Sequence, residues 1–265
     1  MRATTRHHVR LSGVEGAPAI VFAHGYGCDQ NVWRQITPAF ESDFRVVTFD
    51  HVGAGSADPT AYDPQRYASL NGYAADVVEL VAELDLGPVI FVGHSVSSMI
   101  GVLAAIDRPD LFDKLVLVGP SARYIDDGDY VGGFSASDID GLLESLESNY
   151  LGWSRAMAPV IMANQERPEL AAELEASFCR TDPVIARQFA EVTFRGDNRS
   201  DLPKVAAPTL VLQCRSDAIA PLSAGEYVRD HIPDATFAVL DAVGHCPHLS
   251  APGPTADAIG AFIRS

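Results

Sequence analysis

The run Pro88-Val89-Ile90-Phe91-Val92-Gly93-His94-Ser95-Val96-Ser97-Ser98-Met99-Ile100 decides the reading of this chain, because its hydrophobic period changes at one serine. Before Ser95 the residues are apolar without alternation, as in a strand buried on both faces of a parallel sheet. After it, Val96, Met99, Ile100, Leu103 and Ile106 fall at helical spacing. A strand that becomes a helix within one or two residues needs a tight turn, which exposes the residue at its apex; a small neighbour such as Gly93 relieves the crowding. The pattern G-x-S-x-G marks such a nucleophile elbow. Here it reads Gly93-His94-Ser95-Val96-Ser97, with a serine in place of the second glycine. An ordinary buried strand-turn-helix with an incidental serine would read the same way, so the assignment depends on what surrounds it.

Outward from the elbow the chain alternates strand and helix. Ala19–Ala23 is wholly apolar, 44–50 is rich in β-branched and aromatic residues, and Leu115–Val118, 208–214 and 235–240 repeat the signal, while 8–12 alternates like a half-exposed strand. Tyr73, Val77, Leu80, Val81 and Leu84 make the apolar stripe of a crossover helix, with Asp76, Glu79 and Glu83 assigned to its surface, and 255–263 reads as a closing helix. Such alternation predicts an α/β fold with a mostly parallel, doubly wound sheet. From about 121 to 200 no strand-like run appears. Four helices are expected there, at 138–147, 150–162, 168–179 and 183–194, with breaks at Gly152, Pro159, Pro168 and Pro183. Residues 1–120 and 201–265 thus read as the core, and 121–200 as an inserted helical lid. Phe134, Trp153, Met157, Phe178, Phe189 and Phe194 make the insertion aromatic, and most are expected to fill a small core of its own. Of these, Phe134, Trp153, Met157 and Phe189, joined by Tyr26 and Ile219, are expected to line a substrate pocket over the elbow.

Composition narrows the function. The formal net charge of −16 over 265 residues opposes phosphate backbones and anionic membranes, so no nucleic-acid or membrane partner is expected. No apolar run approaches the roughly 20 residues of a membrane helix. The amino terminus lacks the apolar stretch of a secretory signal, which makes the cytoplasm the expected location. Cys28, Cys179, Cys214 and Cys246 show no close pairing, so neither a structural disulfide nor a zinc site is expected. Gly53-x-Gly55 lacks the rest of a dinucleotide fingerprint and any P-loop lysine, and no cofactor is called for.

A serine hydroxyl needs an imidazole to take its proton and a carboxylate to hold that imidazole in one tautomer. Ser95, Asp217 and His245 appear in that order, each in a loop after a strand candidate. His245 is preferred to His248 because it follows Gly244 directly after the strand, and Asp217 to Asp241 because the latter shares a loop with the histidine. His94, beside the apex, should point away from the hydroxyl. The loop His24-Gly25-Tyr26-Gly27-Cys28-Asp29-Gln30 lies at a strand's carboxyl end, where open α/β sheets bind ligands. Backbone N–H groups of Tyr26 and Val96 are the expected oxyanion hole.

Together these stretches resemble the RsbQ-type α/β-hydrolases, bacterial relatives of the plant strigolactone and karrikin receptor hydrolases. The resemblance runs over nearly the whole chain and rests on 24–30 with Trp33, on 93–97, on Gly132-Gly133-Phe134, Asn149-Tyr150 and Trp153, on Thr181-Asp182-Pro183, and on Gly244-His245-Cys246-Pro247-His248. It implies an α/β-hydrolase fold with a four-helix lid, the triad Ser95, Asp217 and His245, and oxyanion donors at Tyr26 and Val96. Tyr26 stands where this group usually has phenylalanine, which adds a hydroxyl at the pocket floor, and Ser97 is similar to the plant form. The resemblance further implies either hydrolysis of a small hydrophobic ester or lactone, such as a butenolide, or ligand sensing with slow hydrolysis and a protein partner of the phosphatase-regulator type. An acidic nucleophile, as in dehalogenases and epoxide hydrolases, is disfavoured by Ser95.

Overall fold

The apolar runs become the interior of one seven-stranded sheet in a computed structural model that describes all 265 residues. The strands are Arg10–Gly13 (β1), Ala19–Ala23 (β2), Arg45–Phe49 (β3), Val89–His94 (β4), Phe112–Val118 (β5), Thr209–Ser216 (β6) and Ala235–Val243 (β7). They lie in the order β1-β3-β2-β4-β5-β6-β7, with β1 antiparallel to β3 and every other pairing parallel. Every residue of β2 and β4 is buried, which follows from having helices on both faces. Alternation still operates inside the sheet: Ile20 and Phe22 join one core, while Ala19, Val21 and Ala23 join the other.

The helices are Ala3–Arg6 (α1), Leu70–Leu84 (α2), Val96–Asp107 (α3), Ala136–Ser148 (α4), Tyr150–Met162 (α5), Pro168–Phe178 (α6), Pro183–Phe194 (α7), Leu222–His231 (α8), Pro247–Ser250 (α9) and Pro252–Ile263 (α10). Between β5 and β6 the chain thus makes four helices, α4 to α7, whose starts are written in the sequence. Ser135 and Asp138 form a reciprocal capping box, and the Asp182 carboxylate accepts from the N–H groups of Val184 and Ile185 with Pro183 at the first turn. Pro159 does not break α5, which runs through it to Met162.

Two expectations need correction. The insertion has no separate core: Leu143, Trp153, Leu174 and Phe178 belong to the same apolar cluster as Phe22 and Val92 of the sheet. Asp76 is not on the surface, because the α1 segment closes over it. Its carboxylate accepts from Arg66 at 2.6 Å and from the Tyr67 hydroxyl at 2.6 Å, with Arg6 at 3.1 Å. Glu83 caps the start of α1 through the backbone N–H of Ala3 and Thr4. No helix is long and apolar enough to cross a membrane.

Several histidines are buried as neutral rings. Desolvation holds His248 down to about 3, and holds His51 and His94 well below the ordinary imidazole value. The unfolded chain takes up protons from about pH 6.5 downward that these folded rings refuse. Stability from the neutral rings is therefore intact above that pH and is lost as pH falls, through to about 3 for His248. Each such ring tilts stability by about 1.4 kcal/mol per pH unit. The melting temperature should drop on the order of 10 °C between pH 7 and pH 5; a flat profile by calorimetry would contradict this.

Candidate active site

The site begins with the turn at the end of β4. Ser95 has φ 56° and ψ −122°, a conformation that L-residues rarely adopt. Its N–H donates to the Val118 carbonyl at 2.8 Å, which ties the apex to the end of β5. A Cβ on Gly93 would stand 2.4 Å from the Ser97 carbonyl oxygen, so the turn closes only over glycine. The resulting apex presents Ser95 Oγ at the sheet's carboxyl edge.

The loops after β6 and β7 bring two partners to it. His245 Nε2 lies 2.7 Å from Ser95 Oγ, and His245 Nδ1 lies 2.7 Å from Asp217 Oδ2. The other oxygen, Asp217 Oδ1, accepts from the backbone N–H of Ile219 at 2.8 Å and of Ala220 at 3.1 Å. An ionised carboxylate only accepts, so Nδ1 carries the imidazole proton and Nε2 is free to take one from the serine. Both partners are buried, where such bonds are strengthened by the low dielectric. The alternatives fall elsewhere. Asp241 is exposed and pairs with Arg215 at 2.8 Å, while His248 is fully buried against Trp33, with ring centroids 4.7 Å apart. His94 Nε2–H donates to the His245 carbonyl at 2.8 Å and so braces the base from behind.

The loop after β2 closes directly over the elbow. A Cβ on Gly25 would meet His94 Nδ1 at 2.4 Å and Ser95 Cβ at 3.3 Å, so no larger residue fits there. The next N–H, that of Tyr26, donates to no group of the protein. Val96 opens α3, and first-turn N–H groups have no partner within a helix. Both donors thus stand free beside the serine.

Above the serine lies a narrow apolar cavity of about 30 Å³, lined by Tyr26, Tyr124, Trp153, Met157, Phe178, Phe194 and Ile219 among others. Of the expected lining, Phe134 and Phe189 are absent. Phe134 borders a surface depression on the outer side of Trp153 and Met157. Phe189 stacks on Tyr73, with centroids 4.4 Å apart, in the core of the opposite sheet face. Phe194, five residues further along α7 and so about 140° around it, takes the place over the cavity. The Tyr26 hydroxyl is not offered to the cavity: it donates to the Ala186 carbonyl of α7 at 3.1 Å.

Sequence reasoning missed Tyr124, whose hydroxyl lies 3.4 Å from Ser95 Oγ. Burial pushes its phenol up to about 12, which keeps the proton in place. The one available signal was its position just past the carboxyl end of a central strand. His94, Cys246 and His248 also bring three buried donor atoms within 4.8 Å of one another. Burial pushes the Cys246 thiol well up, against the thiolate form that metal binding needs.

Residues 20–258 match the alpha/beta hydrolase family. The chain belongs to that family. It is 40% identical over 247 residues to the karrikin insensitive 2 receptor CA of Petunia hybrida, covering 93% of this chain and 91% of that one. It is 38% identical over 258 residues to the strigolactone esterase D14 of Arabidopsis thaliana, covering 97% and 94%. A hydrolase from Oleispira antarctica has the same fold with a TM-score of 0.96 at 37% identity, over 99% of this chain and 96% of the other. The α/β-hydrolase fold and the kinship with the plant receptor hydrolases expected from the motifs are therefore correct, and the protein is a carboxylic-ester hydrolase.

Within that family frame the Gly25 contact gives a test. Gly25→Ala must push the loop off the elbow, and loss of one oxyanion donor costs about 10²–10³-fold in kcat. A fall of that order is expected in a steady-state ester assay, with the far-ultraviolet circular dichroism of the folded protein retained; unchanged kcat would show that the loop is not part of the site.

Proposed function

We propose that this protein cleaves a small hydrophobic ester or lactone, butenolides included, through an acyl-enzyme on Ser95. The observation that carries the reading is the unbroken relay Asp217–His245–Ser95, 2.7 Å at each step, opening into an apolar cavity. His245 takes the hydroxyl proton as Ser95 Oγ attacks the carbonyl, and the imidazolium then returns that proton to the leaving oxygen. The N–H groups of Tyr26 and Val96 receive the oxyanion, and water hydrolyses the acyl group by the same route reversed. Residues 121–200 act as the lid. The cavity is narrow and apolar, and lid side chains such as Met157 are expected to move as a larger acyl group enters. The four free thiols suit a reducing, cytoplasmic setting.

Release of p-nitrophenol from its acetate ester is the direct assay. Ser95→Ala should abolish it, and Asp217→Asn, by presenting the wrong tautomer, should lower kcat by roughly 10⁴-fold. Intact-mass measurement after mixing with a butenolide should detect an adduct that Ser95→Ala lacks. Equal turnover by wild type and Ser95→Ala would sink the reading.

A second reading, ligand sensing with slow hydrolysis and a protein partner, is favoured by how the lid meets the catalytic loops. Besides the Tyr26–Ala186 bond, the Ser177 hydroxyl donates to the Gly27 carbonyl at 2.8 Å and Arg180 pairs with Asp29 at 2.7 Å. Leu151, Val160 and Val184 are exposed on lid helices, and three Petunia hybrida relatives are named receptors. On this reading a butenolide shifts the melting temperature of wild type and Ser95→Ala alike; no shift in either would leave the enzyme reading alone.

A further inference from the structure

The second glycine of the usual elbow motif is Ser97 here, and its hydroxyl is fully buried and doubly bonded. It donates to the His24 carbonyl at 2.5 Å, and it lies 2.8 Å from His51 Nε2. A hydroxyl has one proton, so with that proton on His24 the bond from His51 runs the other way, Nε2–H donating to Ser97 Oγ. His51 Nδ1 is then the bare nitrogen, and it is indeed the one without a partner. Burial holds His51 neutral, as this tautomer requires.

The network continues into the loop over the elbow. The backbone N–H of His51 donates to His24 Nε2 at 3.1 Å, which leaves the His24 proton on Nδ1. His24 Nδ1–H donates to the Gly25 carbonyl at 2.9 Å, and that carbonyl also accepts from the Cys28 N–H at 3.3 Å. The Gly25 carbonyl and the Tyr26 N–H belong to one planar trans peptide and point in opposite directions. Whatever fixes the first therefore aims the second. His24, His51 and Ser97 are each at most 1% exposed, so water does not substitute for a lost partner.

We propose that Ser97, acting with His51 through His24, is a positioning residue that aims the Tyr26 N–H at the reaction centre and locks it to Val96, the neighbour of Ser97 in the chain. A glycine at this position supplies no such link. The proposal rests on the reading of Tyr26 and Val96 as oxyanion donors. Ser97 touches no reacting atom; it holds two donor-bearing segments, the loop after β2 and the first turn of α3, in one register.

The experiment compares Ser97→Ala, Ser97→Gly, His51→Phe and the double variant Ser97→Ala/His51→Phe, using p-nitrophenyl acetate and the inhibitor phenylboronic acid. The boronate forms a tetrahedral adduct on a serine, with a hydroxyl where the oxyanion would sit. Ser97→Ala and Ser97→Gly should each lower kcat by about 10–100-fold with KM within about twofold, and raise the boronate inhibition constant by a similar factor. The double variant should be slower than Ser97→Ala by no more than about threefold, since both changes cut one chain of bonds. Ser97→Thr, which keeps the hydroxyl, should recover most of the loss. A merely structural serine would lower the melting temperature without moving the boronate constant in step with kcat. The proposal is overturned if either folded Ser97 variant keeps kcat within about twofold of wild type, or if the boronate constant stays fixed while kcat falls. Turnover surviving in Ser95→Ala would instead overturn the serine-hydrolase reading itself, whatever the Ser97 variants do.

Discussion

Ser95 sits in a backbone conformation that costs of order 1–3 kcal/mol and survives only where its surroundings over-determine it. Three constraints do so. β4 lies in the middle of the sheet and is buried along its whole length, α3 is buried on most of its surface, and the apex N–H is bonded to the end of β5. The turn has no room for a larger residue at Gly93, where an added Cβ would stand 2.4 Å from the Ser97 carbonyl oxygen. Strain held in this way keeps the hydroxyl out of the helix and over the sheet edge. His245 and Asp217 are placed relative to that point.

The parallel sheet explains why so much of this was readable. Parallel strands deliver their following loops to one edge, so a residue's place after an apolar run is nearly its place in space; Ser95, Asp217 and His245 needed little more than chain order. The bounds of α5 and α7 were likewise legible, because proline, asparagine and aspartate mark helix starts by a local mechanism. Side-chain facing in the lid was not legible. Phe189 satisfies the same local pattern as Phe194, and only the packing of α7 against Tyr73 of α2 decides between them, while Phe134 precedes α4 and borders the outer depression beside Trp153 and Met157. Asp76 was misplaced for a related reason: its burial comes from α1, which arrives from far along the chain and carries Arg6, one of the two arginines paired with it. The helix α8 was passed over between two strong strands.

Charge is arranged to leave the site alone. Most acidic residues reach the surface, some of them in exposed ion pairs such as Arg34–Glu173, each of which is worth little to stability. Inside, several rings and thiols are kept neutral by burial, among them His51, His94, His248, Cys28 and Cys246, and the buried Asp50 carboxylate is held by donors of Gln30 and Ser56. Asp217 is the carboxylate that the His245 imidazole meets, and its second oxygen is already occupied by two backbone donors. A charge so fully bonded on one side acts on the other as a fixed dipole, which is what keeps one tautomer of His245 in place.

Helices α5 to α7 touch the His245 and Tyr26 loops as well as covering the cavity. The His245 N–H donates to the Ile161 carbonyl of α5 at 2.8 Å, the Tyr26 hydroxyl reaches α7, and Ser177 of α6 holds Gly27. The His245 loop therefore leans on α5, and the Tyr26 loop on α6 and α7. Helices that shift to admit a ligand must lengthen or exchange those bonds, and a filled pocket that resettles them reports its state through the same contacts. On the proposed reading, hydrolysis and ligand sensing would draw on one mechanical linkage. The balance between them would be set by how far α5 to α7 move before His245 and Tyr26 lose their aim.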